Sequence, residues 1–260
     1  MLCLASTIQE PVEISVFLCI ALLLFSASIG SFLGMASYRL PRNIPIGLSR
    51  SRCTQCQTTL AAQHLFPLIS YIALGGKCAT CRIPIAARYF WIEISTILLT
   101  LSFYCLYGLT LYAMTAILLA WILLYISIVD IEHYSISISS LLLLGVVSLL
   151  LLYVNHQPLL PAILRSSLLT LGILGIRYAV SYCVKRESLG LGDVILFAFI
   201  GLILPWQYYP TLLLIAGSAG IIWDRLHRRT TKAFPFGPCL CLSLLLCLLF
   251  PNVTALQQYC

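Results

Sequence analysis

Apolar residues in this chain come in blocks close to the length of a bilayer crossing, and polar residues collect between them. Eight blocks read as helices: 14–37, 89–107, 109–129, 136–153, 160–184, 193–204, 210–223 and 234–250. A spanning helix needs ~20 predominantly apolar residues, and several blocks meet that length. The pattern therefore predicts an all-α polytopic membrane protein of about eight transmembrane helices, with both termini outside. In chain order it divides into a first transmembrane helix (1–38), a polar segment (39–88) and a membrane core (89–260).

Composition agrees, because 61% hydrophobic and 9% charged residues lie far outside the soluble range. The first block ends in small residues, Ser26, Ala27 and Ser28, as a secretory signal does. It is preceded by Glu10 and Glu13 and by no base, so it reads as a retained helix. The net charge of +7 does not imply a nucleic-acid partner. Seven of the 15 Lys and Arg lie in 39–88, two are Lys185 and Arg186, and four lie in 225–232. That clustering between helices follows the positive-inside rule and places segment 39–88 in the cytoplasm.

Four of the 12 cysteines fall in that segment as two knuckles, Cys53-Thr54-Gln55-Cys56 and Cys78-Ala79-Thr80-Cys81. Two CxxC pairs suit one tetrahedral ion, so a structural zinc ribbon is expected on Cys53, Cys56, Cys78 and Cys81. The competing reading is redox-active CxxC pairs, which would want a thioredoxin-like pattern of strand and helix. His64, between the knuckles, is a further possible ligand and reads more simply as a solvated loop histidine. A segment of this length with few large apolar residues needs such a staple to fold.

Two acids stand at the ends of apolar blocks. Asp130 closes the 109–129 block, Asp193 opens the 193–204 block, and counting crossings puts both on the cytoplasmic side. Two carboxyls near enough to share a proton can activate water against a peptide carbonyl, one accepting the proton while its neutral partner polarises the carbonyl. The helix dipole opposes a negative charge at the end that holds Asp130 and favours one at Asp193. Gly190 and Gly192 beside Asp193 would admit the backbone of a substrate. Asp224, near Arg225 and Arg228, reads as a helix-end ion pair. Composition alone leaves a proton-coupled transporter open, with the two aspartates as relay groups.

Gly190-Leu191-Gly192-Asp193 resembles the GxGD signature of membrane aspartyl proteases, and Phe234-Pro235-Phe236-Gly237-Pro238 resembles the turn that accompanies it in the type IV prepilin leader peptidase / N-methyltransferase family. Gly30-Ser31-Phe32-Leu33, Tyr38-Arg39-Leu40-Pro41, both knuckles, Pro67-Leu68-Ile69-Ser70-Tyr71, Gly76-Lys77-Cys78, Arg88-Tyr89 and Glu93 follow the family order, so the likeness runs from about residue 30 to 238. It implies an inner-membrane enzyme that trims the basic leader of prepilins or type II secretion pseudopilins at the cytoplasmic face. It implies Asp130 and Asp193 as the catalytic pair, with Gly190, Gly192, Pro235 and Gly237 at the approach to them. It also implies N-methylation of the new terminus by S-adenosylmethionine, for which Glu93 is the candidate residue. Prepilin and membrane lipid are the expected partners, and the sequence fixes no oligomeric state. Three positions depart from the family: Ile195 stands where a Lys is usual, Ser137 where a Pro is usual, and Gly34 where Asn is frequent. Ile195 and Ser137 leave open a non-catalytic assembly factor, and a peptidase without methylation is a further alternative.

Overall fold

The computed structural model describes residues 16–46, 51–53, 55–61, 66–185, 189–226 and 234–250. Among them the backbone is almost wholly helical: α1 (Val16–Arg39), α2 (Ile69–Ala73), α3 (Arg88–Tyr107), α4 (Leu111–His133), α5 (Ile138–Val154), α6 (Leu159–Val184), α7 (Leu191–Ile203), α8 (Tyr209–Leu226) and α9 (Gly237–Leu249). The described β pairing is confined to two isolated bridges in the cysteine segment. Each apolar block is matched by a helix. Phe17–Arg42, Arg88–Tyr107, Leu111–His133 and Leu159–Val184 are long and apolar enough to cross a membrane, while Ile138–Val154, Leu191–Ile203 and Gly237–Leu249 are apolar but shorter. Two details differ from expectation. The cysteine segment contains the one-turn helix α2, and α4 continues four residues past 129, so Asp130 sits in its last turn rather than beyond it.

Local chemistry sets these ends. The Thr110 hydroxyl accepts the Ala113 N–H at 3.1 Å and starts α4. Its far end closes at Tyr134, whose left-handed backbone (φ 53°) returns its N–H to the Asp130 carbonyl at 2.9 Å. Three residues on, the Ser137 hydroxyl accepts the Ser140 N–H at 3.3 Å and starts α5. Buried hydroxyls inside the apolar helices bond back to carbonyls of their own helix, as Thr96, Thr100, Ser148 and Ser243 do. Such bonds satisfy a polar group where no water is present.

Contacts divide the chain into Met1–Gly108 and Leu109–Cys260. In the first unit α1 lies along α3, and the approach needs a glycine: a Cβ on Gly30 would stand 2.7 Å from the Glu93 Cα. In the second unit α4, α5, α7 and α9 share a core, with α6 against α7 and α8 against α9. Leu119, Leu123, Ile126, Leu144, Leu196, Phe197, Ile200, Leu240 and Leu244 fill that core and are almost fully buried. Gly201 brings α7 onto α6, where a Cβ would stand 2.7 Å from the Ser166 Cα and the Ser166 hydroxyl donates to the Ala198 carbonyl at 2.7 Å. Between lipid-facing helices such close approach and hydrogen bonding replace the hydrophobic driving force.

Candidate active site and metal centre

The packing of the second unit brings three helix ends to one place: the last turn of α4, the first turn of α7 and the first residue of α9. Asp130 comes from the first, Asp193 from the second and Gly237 from the third. A Cβ on Gly237 would lie 2.7 Å from the Oδ2 of Asp130 and 3.5 Å from the Oδ1 of Asp193. Both carboxylates thus reach within 3.5 Å of a single point, which only a glycine leaves empty. The backbone N–H of Gly237 donates to Asp130, and that of Gly190 donates to Asp193. Asp193 is the third residue of α7 and Gly190 its N-cap, so this second bond is the return half of a capping box. Asp130 ends one helix but rests against the amino end of another, α9, whose dipole favours a negative charge. The opposing dipole expected from the sequence is therefore countered by a helix 107 residues further along the chain.

Asp130 is buried, at 6% exposure, whereas Asp224 is exposed on α8 and takes no part in this cluster. The partner expected for Asp224, Arg228, lies outside the described residues. Pro235 is buried in the short stretch before α9, and the flanking rings of Phe234 and Phe236 are seated on Gly220 of α8. That seat fixes where α9 begins and hence where Gly237 meets the acids. The space beside Gly192 is taken by Ile136, whose side chain would stand 3.1 Å from a Cβ there. Ile136 was not legible as a site residue, since nothing in an isolated isoleucine marks it.

The three departures are each accommodated. Ile195 is exposed on α7, two residues after Asp193, and residues i and i+2 do not share a helix face. A lysine there would not stand beside the Asp193 carboxylate. Ser137 supplies the start of α5 by capping it. Gly34 lets the Tyr89 ring approach to 3.0 Å of where a Cβ would be, and its carbonyl accepts from the Arg88 guanidinium at 3.3 Å, which also donates to Ser37 at 2.7 Å.

In the first unit the cysteines converge as their spacing predicts. The sulfurs of Cys53, Cys56, Cys78 and Cys81 all lie within 4.8 Å of one another, and Cys53 and Cys81 are 3.8 Å apart. A tetrahedral zinc with bonds of about 2.3 Å has sulfur–sulfur edges of about 3.8 Å. The two knuckles are built alike. In each, the N–H of the first cysteine donates to the carbonyl five residues on, Thr58 or Ile83, and the residue after the second cysteine, Gln57 or Arg82, turns back with positive φ to donate to the first cysteine's carbonyl. A bridge closes each loop, Arg52 to Thr59 and Lys77 to Pro84. Hydrogen bonds from Thr58 pull the Cys56 thiol down to about 6. For Cys81 an amide bond from Ile83 works downward, yet burial and the other three sulfurs outweigh it and push the thiol up to about 11. Four sulfurs this close resist full ionisation unless a cation shares their charge, so the donor set fits a thiolate-bound metal. His64 lies outside the described residues.

Glu93 is buried at the α1–α3 contact, where its Oε2 accepts the Leu68 N–H at 2.8 Å and its carboxylate also accepts from Ser31. The first bond ties the start of α2 to α3 and holds Leu68 at φ 57°, a conformation that side chains rarely adopt. With both partners in place, Glu93 is a clamp for the segment. Both of these bonds are internal to the fold, and among the described residues neither aims the carboxylate at a place for S-adenosylmethionine.

Comparison with known proteins locates both units. Residues 24–107 match the Bacterial Peptidase A24 N-terminal domain, and residues 117–224 match the Type IV leader peptidase family. A type 4 prepilin-like proteins leader peptide-processing enzyme of Escherichia coli O78:H11 is 28% identical over 238 residues, covering 83% of this chain and 87% of that protein. A prepilin leader peptidase/N-methyltransferase of Pseudomonas aeruginosa is 28% identical over 256 residues, 85% of this chain and 86% of that protein. One of the same description from Myxococcus xanthus is 31% identical over 199 residues, 75% of this chain and 58% of that protein. No solved structure matches the chain.

Proposed function

We propose, since this chain belongs to the type IV leader peptidase family, that it cleaves the leader peptide of type IV prepilins or type II secretion pseudopilins at the cytoplasmic face of the bacterial inner membrane. The observation that carries this reading is the convergence of Asp130 and Asp193 on Gly237. In the proposed reaction one carboxylate takes a proton from water as the water oxygen adds to the scissile carbonyl carbon, while the other acid, protonated, donates to the carbonyl oxygen. The C–N bond then breaks as the first acid passes its proton to the leaving amine and the second takes one back from the new carboxyl. No covalent intermediate on the protein is needed. A transporter would use two acids as well, but it would not require a glycine wedged between them and a four-sulfur cluster in the same chain. Incubating a prepilin with membranes that carry this protein tests the proposal: a shortened pilin supports it, and an intact one with the protein present at normal level rejects it.

Zinc on the four cysteines would fold segment 39–88 and takes no part in the cleavage step. The relatives' names extend the proposal to N-methylation of the new amino terminus, with S-adenosylmethionine supplying the methyl group. In that activity Glu93 is proposed as a positioning residue, acting through Leu68 and the loop it holds. We place the cleavage chemistry in the membrane core after the cysteine segment, where both acids lie.

A further inference from the structure

The short helix α2 is fixed in one orientation and faces outward with its apolar side. Inward, Ser70 is buried and the Tyr71 ring stacks on Phe90 of α3 at 5.1 Å, while Gly76 makes room for that ring. Outward, Phe66, Ile69 and Ile72 are 59%, 61% and 67% exposed. The inward contacts and the Leu68–Glu93 bond prevent α2 from turning these residues under cover. Glu93 lies in the second turn of α3, a helix long and apolar enough to span a membrane, and Trp91 in its first turn is 62% exposed. Tryptophan at the end of a spanning helix marks the headgroup level, so α2 stands beside the membrane–water boundary.

The charge of the segment selects among partners. Residues 39–88 hold seven Lys and Arg and no Asp or Glu, and Arg52, Lys77 and Arg82 are exposed. Such a surface repels a basic leader peptide and attracts anionic headgroups. An exposed apolar face in a segment whose only charges are basic has the make-up of an interfacial element that lies in a leaflet without crossing it.

We propose that Phe66, Ile69 and Ile72 insert into the headgroup boundary of an anionic leaflet and seat the four-cysteine module on the membrane surface. The inference rests on α3 spanning the membrane and is independent of the peptidase reading.

The full chain in nanodiscs tests it, in two ways. Ile69→Trp and Ile72→Trp each add one indole, and the unaltered chain is subtracted as background. Lipids brominated near the headgroup should quench the added emission about twofold or more, lipids brominated near the chain ends should quench it less, and the emission should be blue-shifted. Separately, amides of residues 66–74 in the unaltered chain should exchange several-fold more slowly in nanodiscs containing phosphatidylglycerol than in phosphatidylcholine alone. Added indoles that emit as in water and escape bromine, or exchange indifferent to headgroup charge, overturn the proposal. So does protection that appears only when a prepilin is added, which would assign the face to substrate.

Discussion

The Oδ2 of Asp130 stands 2.7 Å from the point where Gly237 would carry a Cβ, closer than real Cβ contacts come. Gly237→Ala must therefore displace the carboxylate or the start of α9. Its backbone N–H would no longer reach Asp130 as it does now. Cleavage should fall at least tenfold, with the protein present at normal level, because misplacing a catalytic group by ~1 Å costs up to ~10²-fold. A gel assay of leader removal at matched protein level checks this, and unchanged turnover would show that the Gly237 contact is dispensable.

Gly192 and Ile136 form a second tight pair, and they allow a test of compensation. Gly192→Ala would press a methyl on Ile136 at 3.1 Å and should slow cleavage. Adding Ile136→Ala removes the atoms in conflict and should restore part of the rate. No recovery in the double variant would instead assign the glycine to direct passage of substrate.

Metal content tests the cysteine module. Purified protein should carry about one zinc per chain, and Cys78→Ser should lose most of it, because three sulfurs leave the tetrahedron open. Stripping the metal should unfold the backbone around the exposed Arg52, Lys77 and Arg82 and let trypsin cut there, since metal binding and folding of such small modules are one equilibrium. A metal-free preparation whose loop resists trypsin would contradict the assignment.

Glu93 separates a structural clamp from a reacting group. Glu93→Gln keeps an oxygen for the Leu68 N–H and should retain zinc, cleavage and methylation. Glu93→Ala leaves that N–H and Ser31 without their acceptor, a loss of about 1–3 kcal/mol, and should loosen the loop so that zinc retention and methylation fall together. Mass spectrometry of processed pilin reads the outcome. Methylation lost in Glu93→Gln, with zinc and cleavage intact, would make the carboxylate itself part of that reaction.

Much of this was legible in the residues, and the reasons differ from part to part. Helix positions follow from blocks of apolar residues, which need no knowledge of packing, and α1 and α3–α9 fall where those blocks lie. The sulfur cluster follows from CxxC spacing, because each knuckle is a local structure. What escaped is non-local or small. Five residues carry too little periodicity to announce α2, and the end of α4 depends on a left-handed Tyr134 that no preference of tyrosine foretells. The close packing of Gly192 on Ile136, a residue 56 positions earlier, is non-local in the same way. The meeting of Gly237 with Asp130 requires α9 to be seated on α8 through Phe234 and Phe236, which only the packed unit shows.

Replacing each acid by its amide tests the catalytic pair most directly. Asparagine keeps the shape of aspartate and cannot exchange a proton with water, so Asp130→Asn and Asp193→Asn should each lower the rate of prepilin cleavage by ~10²- to 10⁴-fold while the protein accumulates normally. Asp224→Asn, at an exposed site apart from the pair, serves as the control and should leave the rate within twofold of the unaltered protein, as expected of an exposed charge worth about 1 kcal/mol or less. Membranes bearing Asp193→Asn that still trimmed prepilin at the unaltered rate would contradict the aspartyl mechanism and return the two acids to a relay or structural role.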